Sequence, residues 1–218
     1  ENTLFYVFVG TAISMVITIM GAYALSRKQL WIRKYINLLV VVTMFFSGGL
    51  IPMYLLVKNI GLYDSRWALI LPTAINTYNM IVMRTAFSGF PTSLEEAAKI
   101  DGANDFQILI RIVIPLTTAT IAVILLFYAV ARWNDWFQAS IYLRTREKYP
   151  IQLYLREVLI YSSTDSMQQG AAAGQDAYAI GESIKYSTVM VSTLPILIVY
   201  PFLQKYFVKG VMVGAVKG

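Results

Sequence analysis

Four consecutive polar residues, Asn76, Thr77, Tyr78 and Asn79, are the first candidates for binding chemistry because they lie in a run without charged side chains, residues 67–83. Polar groups inside a bilayer are costly unless they bond to one another or line a water-filled cavity. The pattern leaves both interpretations open, hydrogen bonding between helices and a ligand path. Because the chain has no Cys and no His, thiolate nucleophiles, imidazole catalysis and Cys/His zinc sites are excluded. We predict no catalytic residue and no metal site.

The composition indicates that membrane helices hold these residues. Of the 218 residues, 57% are hydrophobic and 14% are charged, and the mean hydropathy is +0.59. About 20 apolar residues in a helix cover a hydrocarbon core of about 30 Å, so long charge-free runs mark the spans. We predict one all-α, polytopic transmembrane bundle over residues 1–218. Its five predicted spans are residues 2–26, 35–57, 67–83, 112–131 and 186–204.

The basic residues predict the orientation of the chain in the membrane. The net charge of +6 is distributed between the apolar runs and not along one stripe, which favours contact with membrane lipid over nucleic acid. The first connection is the most basic and is therefore assigned to the cytoplasm. Its basic residues are Arg27, Lys28, Arg33 and Lys34. By parity, we expect the loop 91–115 and the tail 205–218 to be cytoplasmic and the segment 133–185 to be extracellular.

Small residues recur at every fourth position of the first predicted span: Gly10, Ser14, Thr18, Ala22 and Ser26. Such a row lets a neighbouring helix approach closely in lipid, so we predict a tightly packed helix face. Proline removes a backbone donor, and we therefore expect kinks where it lies inside a span or near its end. These prolines are Pro52, Pro72, Pro195 and Pro201.

The loop 91–115 predicts two short helices. Ser93 followed by Glu96 has the spacing of a capping box, and Gly102 is placed to end the first helix in a left-handed conformation. Asn104 with Gln107 repeats the capping pattern at the start of the second helix. The second helix is expected to carry an apolar stripe formed by Phe106, Leu109, Ile110 and Val113. Capping alone leaves open an ordinary helix-turn-helix connection between two spans.

The spacing of particular residues in this loop resembles a known motif. Glu96-Ala97-Ala98 is followed after three residues by Gly102, and after nine more by Ile112-Val113-Ile114-Pro115. This order resembles the EAA loop of bacterial ABC-importer permeases and departs from the usual Ile-x-Leu-Pro ending only at Ile114. Trp133-Asn134-Asp135 resembles the maltose-type carbohydrate branch of that family. The resemblance covers most of the chain and implies the type I (MetI-like) fold, whose usual six spans place one more upstream of Glu1.

In that family the EAA loop forms a coupling helix that docks on a cytoplasmic ATPase. The docking residues that the resemblance implies are Glu95, Glu96, Ala97, Ala98, Asp101 and Gly102. It also implies a heterodimer with a second permease subunit, two ATPase subunits and an extracellular solute-binding protein. The chain would be a multi-pass protein of the bacterial cytoplasmic membrane with a cytoplasmic C-terminus, and it would transport by alternating access.

The chain has no Gly-rich phosphate loop followed by Lys-Ser/Thr. We therefore expect no cofactor on this chain, and we expect ATP and Mg²⁺ on the partner ATPase. On this basis the protein is a transport subunit and not an enzyme.

The substrate that the resemblance implies is an oligosaccharide. Because Asn can bond to hydroxyls and aromatic rings can stack on sugars, the substrate-path candidates are Asn76, Tyr78, Asn79 and Trp133, although Trp133 could equally be an interfacial anchor. The runs 46–52 and 59–65 resemble the branch linked to complex or acidic plant and algal glycans. Arg144, Arg146 and Lys148 could attract an anionic sugar, but Glu147 weakens their field. The sequence therefore leaves both acidic and neutral oligosaccharides as candidate substrates.

Three alternatives differ in what they require of the sequence. An ABC permease for peptides or phosphate would share the coupling loop. A secondary transporter would need no such loop. A membrane enzyme would need acid/base or metal groups at one depth, whereas no Asp or Glu lies in any predicted span.

Overall fold

The computed structural model describes residues 1–27, 31–168, 183–198 and 200–201. In this part of the chain every regular element is helical, as the all-α prediction requires. The helices are α1 Asn2–Ser26, α2 Arg33–Phe45, α3 Leu50–Asn59, α4 Trp67–Ile70, α5 Thr77–Ser88, α6 Thr92–Ile100, α7 Asp105–Leu116, α8 Thr118–Trp133, α9 Phe137–Tyr142, α10 Ile151–Gln168 and α11 Ser183–Ile198. The predicted tail 205–218 lies outside the described residues.

Helix α1 is the centre of the bundle, and its row of small residues is buried as predicted. α5 and α8 both pack against α1. The hydroxyl of Thr18 lies 2.8 Å from the Tyr128 hydroxyl of α8, so the close approach also allows a hydrogen bond between the two helices. The small side chains of α1 are what permit this distance, because larger ones would separate the helix axes.

The charge-free run 35–57 does not form one helix. It is divided between α2 and α3, which are bent by 111° relative to each other. The break contains Gly48 and Gly49, which disfavour helix. The run predicted as one span is therefore a bent pair of helices, and the break lies just before Pro52, where a kink was expected.

The run 67–83 is also interrupted, because α4 ends at Ile70 and α5 begins at Thr77. Pro72 lies in the break and lacks the N–H that a continuing helix would use. The run 112–131 changes direction at Thr117, where α7 and α8 are bent by 86°. Each of these runs thus forms a pair of shorter helices. At the breaks, backbone N–H and C=O groups lose their intrahelical partners and must bond to other residues.

By length and composition, α1 is long and apolar enough to cross a membrane. Within the described residues the number of such spans rises to at most three if each bent pair, α2 with α3 and α7 with α8, counts as one. The fifth predicted span, 186–204, corresponds to the shorter apolar helix α11 in the part that the structure describes.

Two apolar clusters lie towards opposite ends of α1. The first joins α1 to α5, α7 and α8 and includes Met15, Tyr23, Met83, Phe87, Ile108, Val113, Ile124 and Tyr128. The second joins the beginning of α1 to α3, α4, α9 and α10 and includes Tyr6, Val57, Leu69, Ile70, Ala139, Tyr142 and Leu153. α1 therefore connects the loop helices α6 and α7 to the segment around α9 and α10.

Candidate functional site

Helix α6 is the first helix predicted in the loop 91–115, and it begins slightly earlier than predicted. Its N-cap is Pro91, and no side chain caps it. The predicted capping box of Ser93 and Glu96 is wrong, because Ser93 already lies inside the first turn. The predicted end is confirmed, since Gly102 has a φ of +81°, the left-handed region that glycine adopts without steric cost.

Helix α7 begins with the second predicted capping box, which is confirmed. Asn104 Oδ1 accepts the N–H of Gln107 at 2.8 Å, and Gln107 Oε1 accepts the N–H of Asn104 at 2.9 Å. A π-helical turn follows at Leu109–Val113 and shifts the buried face. Ile108, Leu109 and Val113 are buried, whereas Phe106 and Ile110 are exposed. The four residues therefore do not form the single apolar stripe that was predicted, because Phe106 and Ile110 do not share the buried face of Leu109 and Val113.

The six predicted docking residues face two directions. Glu96, Ala97, Asp101 and Gly102 are exposed, whereas Glu95 is buried and Ala98 packs against the first apolar cluster. Large apolar side chains are exposed beside the outward group, namely Leu94, Ile100 and Phe106. An exposed apolar surface next to carboxylates is typical of a protein contact site. The outward group can thus contact a partner, while the inward pair holds α6 on the bundle.

Glu95 is the centre of an ionic network between α1, α6 and α7. Its carboxylate pairs with the Arg27 guanidinium, and both side chains are largely buried. Lys99 Nζ lies 3.1 Å from Glu95 Oε1 and 3.5 Å from Asp105 Oδ1, and the hydrogen bond to Glu95 raises the pKa of Lys99. The guanidinium of Arg27 also lies 4.3 Å from the centre of the Tyr23 ring. Because partly buried pairs are screened less than exposed ones, this network ties α6 to the end of α1.

A polar cavity of about 490 Å³ lies between α5, α8 and the start of α9. It brings together three of the predicted substrate-path residues, Asn76, Tyr78 and Asn79. The other polar or aromatic residues of its lining are Thr73, Phe127, Tyr128, Arg132, Asn134, Asp135, Trp136, Phe137 and Gln138. Amides, a carboxylate and aromatic rings around one cavity are the groups that could bond to hydroxyls and stack on rings.

Part of the predicted polar run has a structural role. Asn76 caps α5, since its Oδ1 accepts the N–H of Asn79 at 3.0 Å, and its own N–H donates to the Tyr128 hydroxyl at 3.0 Å. Asn79 is buried, and Gln138 Oε1 is buried without a partner among the described residues. Gln138 Oε1 is therefore left to bond to water or to a ligand in the cavity.

Trp133 is separated from the other three candidates. It lines an apolar cavity of about 520 Å³ between α1, α8 and α11, and its Nε1 donates to the carbonyl of Ser192 at 2.9 Å. Trp133 thus joins α8 to α11 on a face of α8 that is different from the face with Tyr128 and Arg132.

Arg132 is an important residue of the cavity wall that the sequence did not reveal. Its guanidinium is buried and donates to the carbonyl of Leu69 at 3.1 Å and to Ser14 Oγ at 2.8 Å. Leu69 lies at the end of α4, where the helix break leaves carbonyls without intrahelical partners. Arg132 therefore joins α8, α1 and the broken segment. The available signal was a single basic residue directly after an apolar run.

The sequence matches the family described as binding-protein-dependent transport system inner membrane component over residues 13–213. The chain belongs to this family of ABC-importer permeases. Family membership confirms the predicted class of ABC-importer permease, and the secondary transporter and the membrane enzyme are set aside.

Three comparisons show how closely this permease resembles known proteins. The polygalacturonan/rhamnogalacturonan transport system permease protein YtcP of Bacillus subtilis (strain 168) is 48% identical, with 99% of this chain and 75% of that protein covered. The lactose transport system permease protein LacG of Rhizobium radiobacter is 30% identical, with 99% and 74% covered. The crystal structure of a bacterial ABC transporter involved in the import of the acidic polysaccharide alginate contains a similar chain. That chain is 35% identical with a TM-score of 0.82, and the match covers 94% of this chain and 73% of that one.

The basic residues of the permease near residue 146 do not form a free positive patch. Arg146 Nη2 pairs with Glu157 at 2.6 Å, and Lys148 Nζ lies 3.2 Å from Asp64 Oδ2. Asp64 also accepts the N–H groups of Arg144 and Thr145 and the Thr145 hydroxyl, and these bonds hold the pKa of its carboxyl well below the usual range. Two of the three residues expected to attract an anionic sugar are thus paired with carboxylates.

Among the described residues that line the polar cavity, Asp135 is the one carboxylate. Its Oδ1 accepts the N–H of Gln138 at 3.2 Å. Burial raises the pKa of the Asp135 carboxyl, and the bond from Gln138 and the charge of Arg132 oppose that rise. The cavity therefore combines one acid and one guanidinium with neutral amides.

Proposed function

We propose that this permease imports an oligosaccharide that contains uronic acid. The main support comes from two relatives whose names include an acidic polymer. The 48% identical permease is named for polygalacturonan transport, and the 35% identical chain belongs to a transporter involved in alginate import. The polar and aromatic lining of the 490 Å³ cavity suits a carbohydrate, because amides bond to hydroxyls and rings stack on sugars.

The proposed assembly contains a second permease subunit, two cytoplasmic ATPase subunits and an extracellular solute-binding protein. ATP and Mg²⁺ belong to the ATPases. The outward residues Glu96, Ala97, Asp101 and Gly102 dock on an ATPase, while Glu95 and Ala98 hold α6 in place. Gly102→Pro and Glu96→Lys are expected to uncouple transport, whereas full substrate-stimulated hydrolysis in variants that insert normally would contradict this role.

The proposed orientation places the loop 91–115 and the C-terminus in the cytoplasm. Single cysteines near residues 30 and 100 are then shielded from an impermeant thiol reagent in intact cells, and a cysteine near residue 170 reacts. The opposite labelling pattern would reverse the orientation and remove the docking assignment.

The deciding experiment reconstitutes the complete importer with its binding protein and compares ATPase stimulation by uronate oligosaccharides, neutral oligosaccharides, peptides and phosphate. Stimulation by uronate oligosaccharides supports the proposal. Stimulation by peptides or phosphate alone contradicts a carbohydrate substrate.

A neutral oligosaccharide is the second candidate. It is favoured by Asp135 in the cavity and by the pairing of Arg146 and Lys148 with acids, since both reduce the attraction of an anion. A response to neutral sugars alone would select this candidate.

A further inference from the structure

Arg156 of α10 lies against an aromatic residue of the polar cavity. Its Cζ is 3.3 Å from the centre of the Trp136 ring, and Trp136 belongs to the cavity lining. One turn earlier, Gln152 Nε2 donates to Asn134 Oδ1 at 3.4 Å, and Asn134 also lines the cavity. The first half of α10 therefore lies against two residues of the cavity lining.

The charge of Arg156 is not neutralised within the described part of the chain. Its neighbours Arg146 and Lys148 pair with Glu157 and Asp64, whereas Arg156 forms no ion pair with any carboxylate that the structure describes, and its side chain is exposed. Stacking on an indole uses the face of the guanidinium and leaves its N–H groups pointing outward in the plane. A planar guanidinium of this kind matches the two oxygens of a carboxylate.

The other two charges at the cavity belong to Arg132, which is buried, and to Asp135, which has the wrong sign for an anion. The guanidinium of Arg132 donates to Leu69 and Ser14. The carboxylate of Asp135 accepts from Gln138 and would repel a uronate. Because Arg132 is buried and already donates to protein groups, the exposed guanidinium of Arg156 is the more accessible cation for an acidic sugar.

We propose that Arg156 and Trp136 form a uronate subsite at the edge of the polar cavity. The guanidinium of Arg156 binds the carboxylate of one sugar, and the indole of Trp136 keeps the guanidinium flat and forms the apolar side of the subsite. This inference rests on the proposed function, because it assigns the acidic group of the substrate to specific residues.

The test uses the complete importer in liposomes with its binding protein and two matched probes. These are trigalacturonate and the same trisaccharide with its carboxyl groups reduced to alcohols. For Arg156→Gln we expect kcat/KM for import of trigalacturonate to fall about tenfold, which corresponds to about 1.4 kcal/mol, and import of the reduced trisaccharide to be unchanged. The control Arg146→Gln removes the same charge from a guanidinium committed to Glu157 and should change neither rate by more than about twofold.

Each other outcome overturns the subsite in a recognisable way. An equal loss for both probes shows that Arg156 is only structural. If the wild type imports both probes and Arg156→Gln imports them equally well, the subsite is contradicted but the acidic substrate is not. If the wild-type importer accepts only the reduced probe, both the subsite and the acidic substrate are contradicted. If Arg156→Gln fails to assemble, Arg156→Lys keeps the charge without the planar fork and should still lose import of trigalacturonate selectively. An unchanged rate in Arg156→Lys would then overturn the proposal.

Discussion

Replacing Gly10 with alanine should destabilise the permease even though alanine is the better helix former. Gly10 lies on the buried face of α1, directly against the side chain of Arg132. A Cβ at this position would be 2.6 Å from Nε and 2.7 Å from Cδ and Cζ of Arg132. Carbon atoms pack about 1 Å further apart than this, so the guanidinium has to move.

The expected loss follows from the bonds that hold Arg132. Its guanidinium donates to Leu69 at 3.1 Å and to Ser14 at 2.8 Å, and a displacement of about 1 Å breaks bonds of that length. A hydrogen bond to a charged group contributes about 1.5–3 kcal/mol. The better helix propensity of alanine returns about 1 kcal/mol. We therefore expect a net loss of about 2–5 kcal/mol.

Gly21→Ala is the matched control on the same helix. Its Cβ would lie 3.3 Å from Met80 Sδ, and a flexible methionine can adjust. The assay is thermal unfolding of the purified importer, followed by intrinsic fluorescence, with both variants compared with the wild type. Equal midpoints for Gly10→Ala and Gly21→Ala would refute the reasoning. In an Arg132→Met background the penalty of Gly10→Ala should largely disappear, since the clash is with the guanidinium.

Three further predictions concern other parts of the molecule. Glu95→Gln leaves the Arg27 guanidinium without its carboxylate and should weaken substrate-stimulated ATPase activity. The charge exchange Arg27→Glu with Glu95→Arg should restore part of that activity. An exchange variant no more active than Glu95→Gln would contradict a role of this ion pair. Asp64 has a lowered pKa in the folded state, so its stabilisation is present above the ordinary carboxyl pKa of about 4 and is lost as the pH falls below it. Asp64→Asn should accordingly be less stable at pH 7 and should show a smaller decrease of the melting temperature on acidification, whereas an unchanged decrease would argue against the Asp64 bonds as its cause. Gly102→Ala should cost about 1–2 kcal/mol because of the positive φ and should reduce copurification of the ATPase, while Gly89→Ala, at a negative φ, should not; equal copurification for the two would contradict the left-handed turn as a docking requirement.

Local features of this permease were predictable because they depend on residues close together in the sequence. The row from Gly10 to Ser26 has the period of a helix face, and all its members are buried. Gly102 and the Asn104 capping box act within a few residues of themselves, and both formed as expected. The spacing from Glu96 to Pro115 indicated the ABC-importer permease family for the same reason, and the family match agrees with it.

The directions of side chains within those local elements depended on packing. Glu95 and Glu96 are adjacent in the sequence, yet Glu95 is buried against Arg27 and Glu96 is exposed, because only the position of α1 decides which face of α6 is covered. The predicted apolar stripe of α7 was similarly divided by packing, because Leu109 and Val113 are buried whereas Phe106 and Ile110 are exposed.

The sequence by itself determined the all-α membrane class, the packed face of α1 and the EAA-like spacing of the loop 91–115, since composition and spacing are properties of the chain alone. Only the tertiary structure decided that Asn79 and Gln138 share a cavity, that Trp133 lies apart from it, and that Arg132 satisfies the carbonyls at the end of α4. Some of these contacts join residues that are far apart in the sequence. Leu69 and Arg132, for example, are separated by 63 positions. Their geometry is set by where the helices break and how closely the helices approach, and no local pattern records either.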